Sequence, residues 1–359
     1  MSSRALLSTR KGLFELQRKA GGWDIAAIHF LGEPVSFTLA DARDGSLYVA
    51  LNLGHFGVKL HRRDPGADGW TEIAAPAYPA KPEDSADPIE WKNKLVWTLA
   101  AGGDDQPGVL WAGTLPGGLF KSSDRGASWE LVRALWDVPQ RAEWFGGGYD
   151  VPGIHSICVD PRNSSQLLVG VSCGGVWRSS DGGASWAISA TGMRADYMPP
   201  ELNENEAVQD PHRIVRSQAL PDQLWCQHHN GMWRSENGGA NWQEITGAPV
   251  SNFGFAVAVH GSTAWFAPAQ ADQRRIPVDA ALAVTRTSDG GRSFSVLREG
   301  LPQQQCYDLV YRHGLAVDSD GRSLVLASTT GNVWTSDDAG EHWERLPANL
   351  PPVYAVCFG

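Results

Sequence analysis

One octet recurs along the chain and limits what it can fold into: a hydroxyl residue, any residue, Asp, any, Gly, two more, then an aromatic. It reads Ser122-Ser-Asp124-Arg-Gly126-Ala-Ser-Trp129, Ser179-Ser-Asp181-Gly-Gly183-Ala-Ser-Trp186, Ser235-Glu-Asn237-Gly-Gly239-Ala-Asn-Trp242, Thr287-Ser-Asp289-Gly-Gly291-Arg-Ser-Phe294 and Ser336-Asp-Asp338-Ala-Gly340-Glu-His-Trp343. The aromatics fall 49 to 57 residues apart. The residue types suit a tight turn. The Asp or Asn oxygen accepts from nearby amides, the hydroxyl bonds locally, Gly takes a positive φ, and the aromatic anchors the turn against a sheet. A fixed period in this range marks stacked copies of one supersecondary unit.

Each octet follows a strand, a Gly-containing turn and a second strand, as in Leu110–Phe120, Leu167–Trp177 and Leu324–Trp334. Two worn units lie upstream, Leu6–Trp23 and Leu47–Trp70, the second with Asp64-Pro-Gly-Ala-Asp-Gly69 in place of the octet. One more apolar strand precedes each unit but the first: Val35–Leu39, Leu95–Leu99, Ile154–Cys158, Arg213–Ser217, Phe253–Val257 and Leu309–His313. The strand missing from the first unit is found at the other end, Val353–Phe358. The reading is a single all-β domain over 1–359, a seven-bladed β-propeller whose C-terminal strand closes the first blade. Such closure pairs edges that would otherwise be exposed. A content of 40 Gly and 16 Trp fits many turns and a repeated aromatic anchor.

The formal net charge is −10, and no basic block interrupts it. Phosphate binding rests on Lys and Arg, so nucleic acid is not expected as a partner. No stretch reaches the ~18 apolar residues of a membrane span, so no membrane is expected either. The N-terminal segment lacks the apolar run and small-residue site of a signal peptide. The five Cys show no CxxC spacing, and most sit in strand-like runs such as Ile157-Cys158-Val159. They read as reduced core thiols of a cytoplasmic protein.

The octets and their intervening strands resemble the Asp-box (BNR) repeat family, seen in sialidases, some glycoside hydrolases, sortilin-type receptors and a photosystem assembly factor. The resemblance covers nearly the whole chain. More narrowly, Ser8-Thr-Arg-Lys-Gly-Leu-Phe14, His55-Phe-Gly-Val-Lys-Leu-His61 and Trp144-Phe-Gly-Gly-Gly148 are similar to bacterial sialidase-like or glycosyl hydrolase BNR-repeat proteins. The resemblance implies a fold first and, for an enzyme, a glycosidase-like hydrolase. Arg275-Ile-Pro277 resembles the arginine-containing motif of sialidases, which in that family opens a six-bladed propeller and here falls in the sixth blade. The family's other arginines and its Tyr–Glu pair have no residue-by-residue counterpart. Xyloglucan-type relatives set two propellers across one cleft, whereas this chain holds one.

If the strands of a blade run from the centre outward, the first and third turns share one face, and the octets lie there with short loops. The long connectors, 74–94, 132–153, 187–212 and 268–284, share the other face. Loops of that length in a compact domain are commonly functional. The site is therefore expected over the central channel on the loop-rich face. His155 and His313 align in different blades and are expected to point into the channel as general acid or base, with Glu90 and Asp150 as the carboxylates that glycoside hydrolysis needs. Arg10, Lys11, His55, His212, Arg213, His228, Arg275 and Tyr307 are expected to bind ligand, and the same loops carry Asn52, Tyr149, Asp210 and His229. His228 and His229 are adjacent, so at most one faces the pocket. The ligand is expected to be small and polar, most simply an anionic sugar or carboxylated metabolite bound through arginine. No cofactor and no metal ligand is assigned. The alternative is a non-catalytic scaffold whose loop-rich face grips a protein partner.

Overall fold

Strands that alternate with Gly turns pair with their sequence neighbours, and repeating that unit gives a ring. The computed structural model describes residues 2–359. Among the described residues it forms seven four-stranded antiparallel sheets, each built from strands consecutive in sequence except the first. In that sheet Val353–Phe358 lies innermost and pairs with Arg4–Thr9, so the C-terminal strand does close blade 1. Blades 2 to 7 follow in chain order, with innermost strands Val35–Ala40, Leu95–Ala101, Gly153–Asp160, Pro211–Arg216, Gly254–His260 and Leu315–Val317.

The last of these corrects the sequence reading. Leu309–His313 was expected as the inner strand of blade 7, but it is a loop: Gly314 N donates to Tyr311 O (2.7 Å) and turns the chain before the short strand begins. Leu309 and Val310 are buried all the same, which is what their apolar character reports. The loop between Leu297 and Leu315 thus joins the long connectors of that face.

The core lies between blades. Apolar clusters fill every junction of the ring, among them Leu6, Leu13, Val35 and Val49 between blades 1 and 2 and Phe14, Trp23, Val325 and Val353 between blades 7 and 1. Each octet is a turn between the third and outermost strand, and it works as the residue types dictate. Ser179 Oγ donates to Asp181 Oδ1 (2.8 Å) and accepts from Gly183 N (2.8 Å), while Ser185 N and Oγ donate to the same carboxylate (2.9 and 2.6 Å). These donors, led by Ser185, hold the Asp181 carboxyl at about 2. Gly183 also presses on the preceding blade, since a Cβ there would sit 3.1 Å from Trp111.

In the blade-5 octet Asn237 takes the same position, accepting from Ser235 Oγ and Asn241 N (both 3.0 Å). The turn therefore needs an acceptor and not a charge. Asp181→Asn is expected to melt within about 1 °C of the parent at neutral pH, and Asp181→Ala a few degrees lower. Comparing the two melting curves checks this, and equal losses would contradict it.

Candidate functional site

Six innermost strands carry a β-bulge near their start among the described residues. The pairing skips Ser36, Trp97, His155, His212, the pair Phe255–Ala256, and Tyr354 in blades 2 to 6 and 1 respectively. An extra residue in one strand bends it and re-aims a side chain. Of the bulged residues, Ser36, Trp97 and Tyr354 reach the mouth of the channel.

The channel is stoppered at mid-depth. His313 Nε2 donates to the backbone carbonyl of His155 (2.8 Å), and Arg213 Nη1 reaches the same oxygen (3.2 Å). A cavity of about 390 Å³ opens above this plug on the loop-rich face; a second lies below it on the octet face.

The upper cavity is walled by Trp97, Tyr149, Tyr311, Tyr354, Asn52 and Ser36, floored by His313, and supplied with cations by Arg10, Arg275 and Arg312. No Asp or Glu is among the described residues lining it. This occurs in a chain of net charge −10. Arg275 is partly neutralised by Asp272 (2.5 Å). Arg312 is not paired in this way. Its guanidinium is buried, lies over Trp97 (4.8 Å) and Phe255 (5.8 Å), and its Nε has no hydrogen-bond partner among the described residues. Burial lowers the affinity of Arg312 for its proton, against the field of Asp210, which raises it.

The Gly146-Gly147-Gly148 run has a steric cause here. A Cβ on Gly148 would lie 3.3 Å from Arg312 Nη2, and one on Gly147 would meet Cys173 Sγ at 2.4 Å and Asp210 Oδ1 at 3.3 Å. The loop is pressed between the arginine and the Asp210 pocket, with no room for side chains.

Several expected site residues lie elsewhere. Arg10, Arg275 and His313 line the cavity as expected. The His155 ring does not. It is fully buried beside Trp97 (5.5 Å), with Nδ1 on Ser156 Oγ (2.9 Å), and only its carbonyl reaches the channel. Burial drives the His155 and His313 pKa values well below the ordinary imidazole value, so both are neutral. Arg213 lines the lower cavity, because it follows the bulge that sends His212 the other way. Glu90 is exposed and pairs with Lys94 (3.9 Å), and Asp150 is exposed beside Tyr149; neither lines the cavity, so they do not form the carboxylate pair expected of them.

Lys11 is exposed at a turn, His55 is exposed against Phe56 (3.8 Å), and Tyr307 is 60% exposed; these also stand clear of the cavity. His228 is wholly buried, and the amides of Asp210 and Asn230 both point at its ring nitrogens (3.1 Å each). Its neighbour His229 is partly exposed and meets Asp210 together with His212. Sequence reasoning missed Arg312, Trp97, Tyr311 and Tyr354. Strand alternation puts Arg312 opposite His313, and only the loop that replaces the strand lets both reach the channel.

The five cysteines are unpaired, and among the described residues no helix is long and apolar enough to cross a membrane.

No protein-family model matches the chain. In sequence it is 23% identical over 76% of its length to a xyloglucanase from Paenibacillus sp, of which it covers 29%. It is 24% identical over 81% of its length to a xyloglucanase from Hypocrea jecorina, of which it covers 31%. The chain thus spans about a third of the length of these curated relatives. Among solved structures, an ancestral GH74 enzyme superposes with a TM-score of 0.59 at 18% identity, covering 86% of this chain and 38% of that one. A putative 6-phosphogluconolactonase from Bacteroides uniformis gives 0.59 at 12% identity over the whole of both chains. These likenesses establish the propeller fold, with xyloglucanases as distant relatives in sequence.

Proposed function

We propose that this propeller binds a small carboxylated ligand, most simply an acidic sugar, in the cavity at the loop-rich mouth. The observation that carries the reading is the lining: three arginines, one of them buried without an ion pair, and no carboxylate, within an acidic protein. A guanidinium presents a planar fork that matches a carboxylate with two parallel hydrogen bonds. The aromatic walls of Trp97, Tyr149, Tyr311 and Tyr354 suit the apolar face of a ring, and small-molecule sites are typically concave and apolar with a few convergent polar groups. The sequence likeness to xyloglucanases favours a saccharide framework. A concave, positively lined mouth supports a ligand site over a flat docking surface for protein.

The same likeness favours a second reading, glycoside hydrolysis. The two carboxylates that this chemistry uses, ~5 to 9 Å apart, have no counterpart among the described residues of the lining. Binding is therefore the reading preferred.

A thermal-shift comparison of glucuronate and galacturonate with glucose and galactose tests it, with release of reducing ends assayed in parallel on acidic oligosaccharides. A ligand at 100 times its Kd adds about 2.7 kcal/mol, or roughly 3 °C for a chain of this size. The acids are expected to raise the melting temperature and the neutral sugars to leave it unchanged. Equal shifts from both, or none from either acid, would overturn the reading, and reducing-end release would favour the hydrolytic one.

A further inference from the structure

Beside the cavity, behind Gly147, three side chains from two loops and a bulge converge. Asp210 ends the connector into blade 5, His212 occupies the bulge that follows, and His229 sits on the turn between the second and third strands of the same blade. One ligating atom from each lies within 4.8 Å of the others. We propose that Asp210, His212 and His229 form a binding site for a single divalent transition metal of the zinc type. The proposal does not rest on the anion-binding reading of the cavity.

The hydrogen-bond pattern argues for it. His212 Nδ1 lies 2.7 Å from the carbonyl oxygen of Gly254, which can only accept, so the proton is on Nδ1. In its neutral form the ring then presents the lone pair of Nε2 to Asp210 Oδ2, 3.4 Å away. Two lone pairs facing each other in a buried site call for a cation between them. A backbone carbonyl on the far ring nitrogen is the usual way a ligating histidine is oriented.

Asp210 is divided in the same sense. Its Oδ1 is held by Ser172 Oγ (3.3 Å) and Cys173 N (3.1 Å), which leaves Oδ2 to the two histidines. His229 Nδ1 is also 3.4 Å from Oδ2, and its backbone N donates to the Asp210 carbonyl (3.0 Å), fixing the turn. A separation of 3.4 Å is long for an N–H···O bond. Ligand atoms each ~2.0 to 2.1 Å from a tetrahedral ion stand about 3.3 to 3.4 Å apart, which both histidine–Asp210 separations match.

The surroundings are those of a metal pocket with one open side. His212 stacks on Phe255 (4.5 Å, 14°), and His229 meets Tyr197 edge-on (4.8 Å), so an aromatic shell fixes both rings. Asp210 and His212 are buried, while the His229 side chain is 22% exposed, leaving the fourth position to water. Two imidazoles and one carboxylate select zinc-like ions over calcium or magnesium, which prefer oxygen. Arg312, whose charge is felt at Asp210, opposes a cation there, so affinity in the micromolar range is expected.

The 359-residue chain, stripped with chelator, is to be titrated with Zn²⁺ by calorimetry and with Co²⁺ by visible absorption. One equivalent is expected to bind, Co²⁺ giving the intense bands of tetrahedral coordination. Asp210→Asn and His229→Ala should each weaken binding about 100-fold or more. Asp210 is buried and its variant could fail to fold, so the partly exposed His229 carries the test, with circular dichroism confirming its fold. His342→Ala, which removes a surface His–Asp pair, should change nothing. No saturable uptake by the parent, unchanged uptake by His229→Ala, or uptake lost only in His342→Ala would overturn the proposal.

Discussion

Lowering the pH from about 7.5 to about 5 is expected to remove about 6 kcal/mol of this protein's stability, before most of its carboxylates titrate. The cause is three histidines folded into places that admit no charge. The His155 and His313 pKa values are held well below the ordinary imidazole value, first by burial and then by nearby arginines. His228 is pushed down to about 3, mainly by burial. In the unfolded chain each takes up a proton near pH ~6.5, while the folded chain does not. The unfolded state therefore binds more protons below that value, and stability must fall as pH falls. The contribution is intact above about pH 6.5 and is lost progressively below it, continuing toward the depressed folded values.

Each such histidine costs about 1.4 kcal/mol per pH unit, so three cost about 4 kcal/mol per unit. Against a total of ~5 to 15 kcal/mol, that places acid unfolding between about pH 3 and 5. Melting temperature measured across the range checks it, and a flat profile from about pH 7.5 to 5 would contradict the neutral burial of these rings.

Arg312→Met is expected to separate stability from binding. Arg312 is a buried cation with Nε unsatisfied and only ring faces and the more distant field of Asp210 for compensation. Taking such a charge out of water is costly, and replacing buried ionic groups by apolar ones of similar volume is often neutral or stabilising. Melting temperature should therefore stay level or rise. Binding of a carboxylated ligand should weaken by about 100-fold, the ~2 to 5 kcal/mol lost when one partner of a buried charge-assisted contact is removed. A residue kept at a cost to the fold is the pattern expected where function requires it. If instead the variant unfolds and the parent binds no acid, Arg312 is a packing element.

The ring itself was legible because its signals are local and repeated. The octets carry their own hydrogen-bond chemistry, as the Ser179–Asp181–Gly183 turn demonstrates, and the strand count required Val353–Phe358 to complete blade 1. The face that carries the long connectors and the upper cavity followed from loop lengths. Side-chain directions at the channel did not follow, because they are set by bulges, which break the alternation that sequence reasoning uses. His212 and Arg213 exchange sides across one bulge, and His155 offers its carbonyl rather than its ring. Glu90 and Asp150 were placed by loop membership alone, which does not say how far a loop leans outward. Neither His228 nor His229 lines the cavity, and the amides of Asp210 and Asn230 hold His228 in the interior.

The most direct test is calorimetric titration of the parent and of Arg312→Met with glucuronate. The predicted result is one-site binding by the parent that weakens about 100-fold in a variant of equal or higher melting temperature. Equal affinity in the two proteins would contradict a carboxylate site built on Arg312.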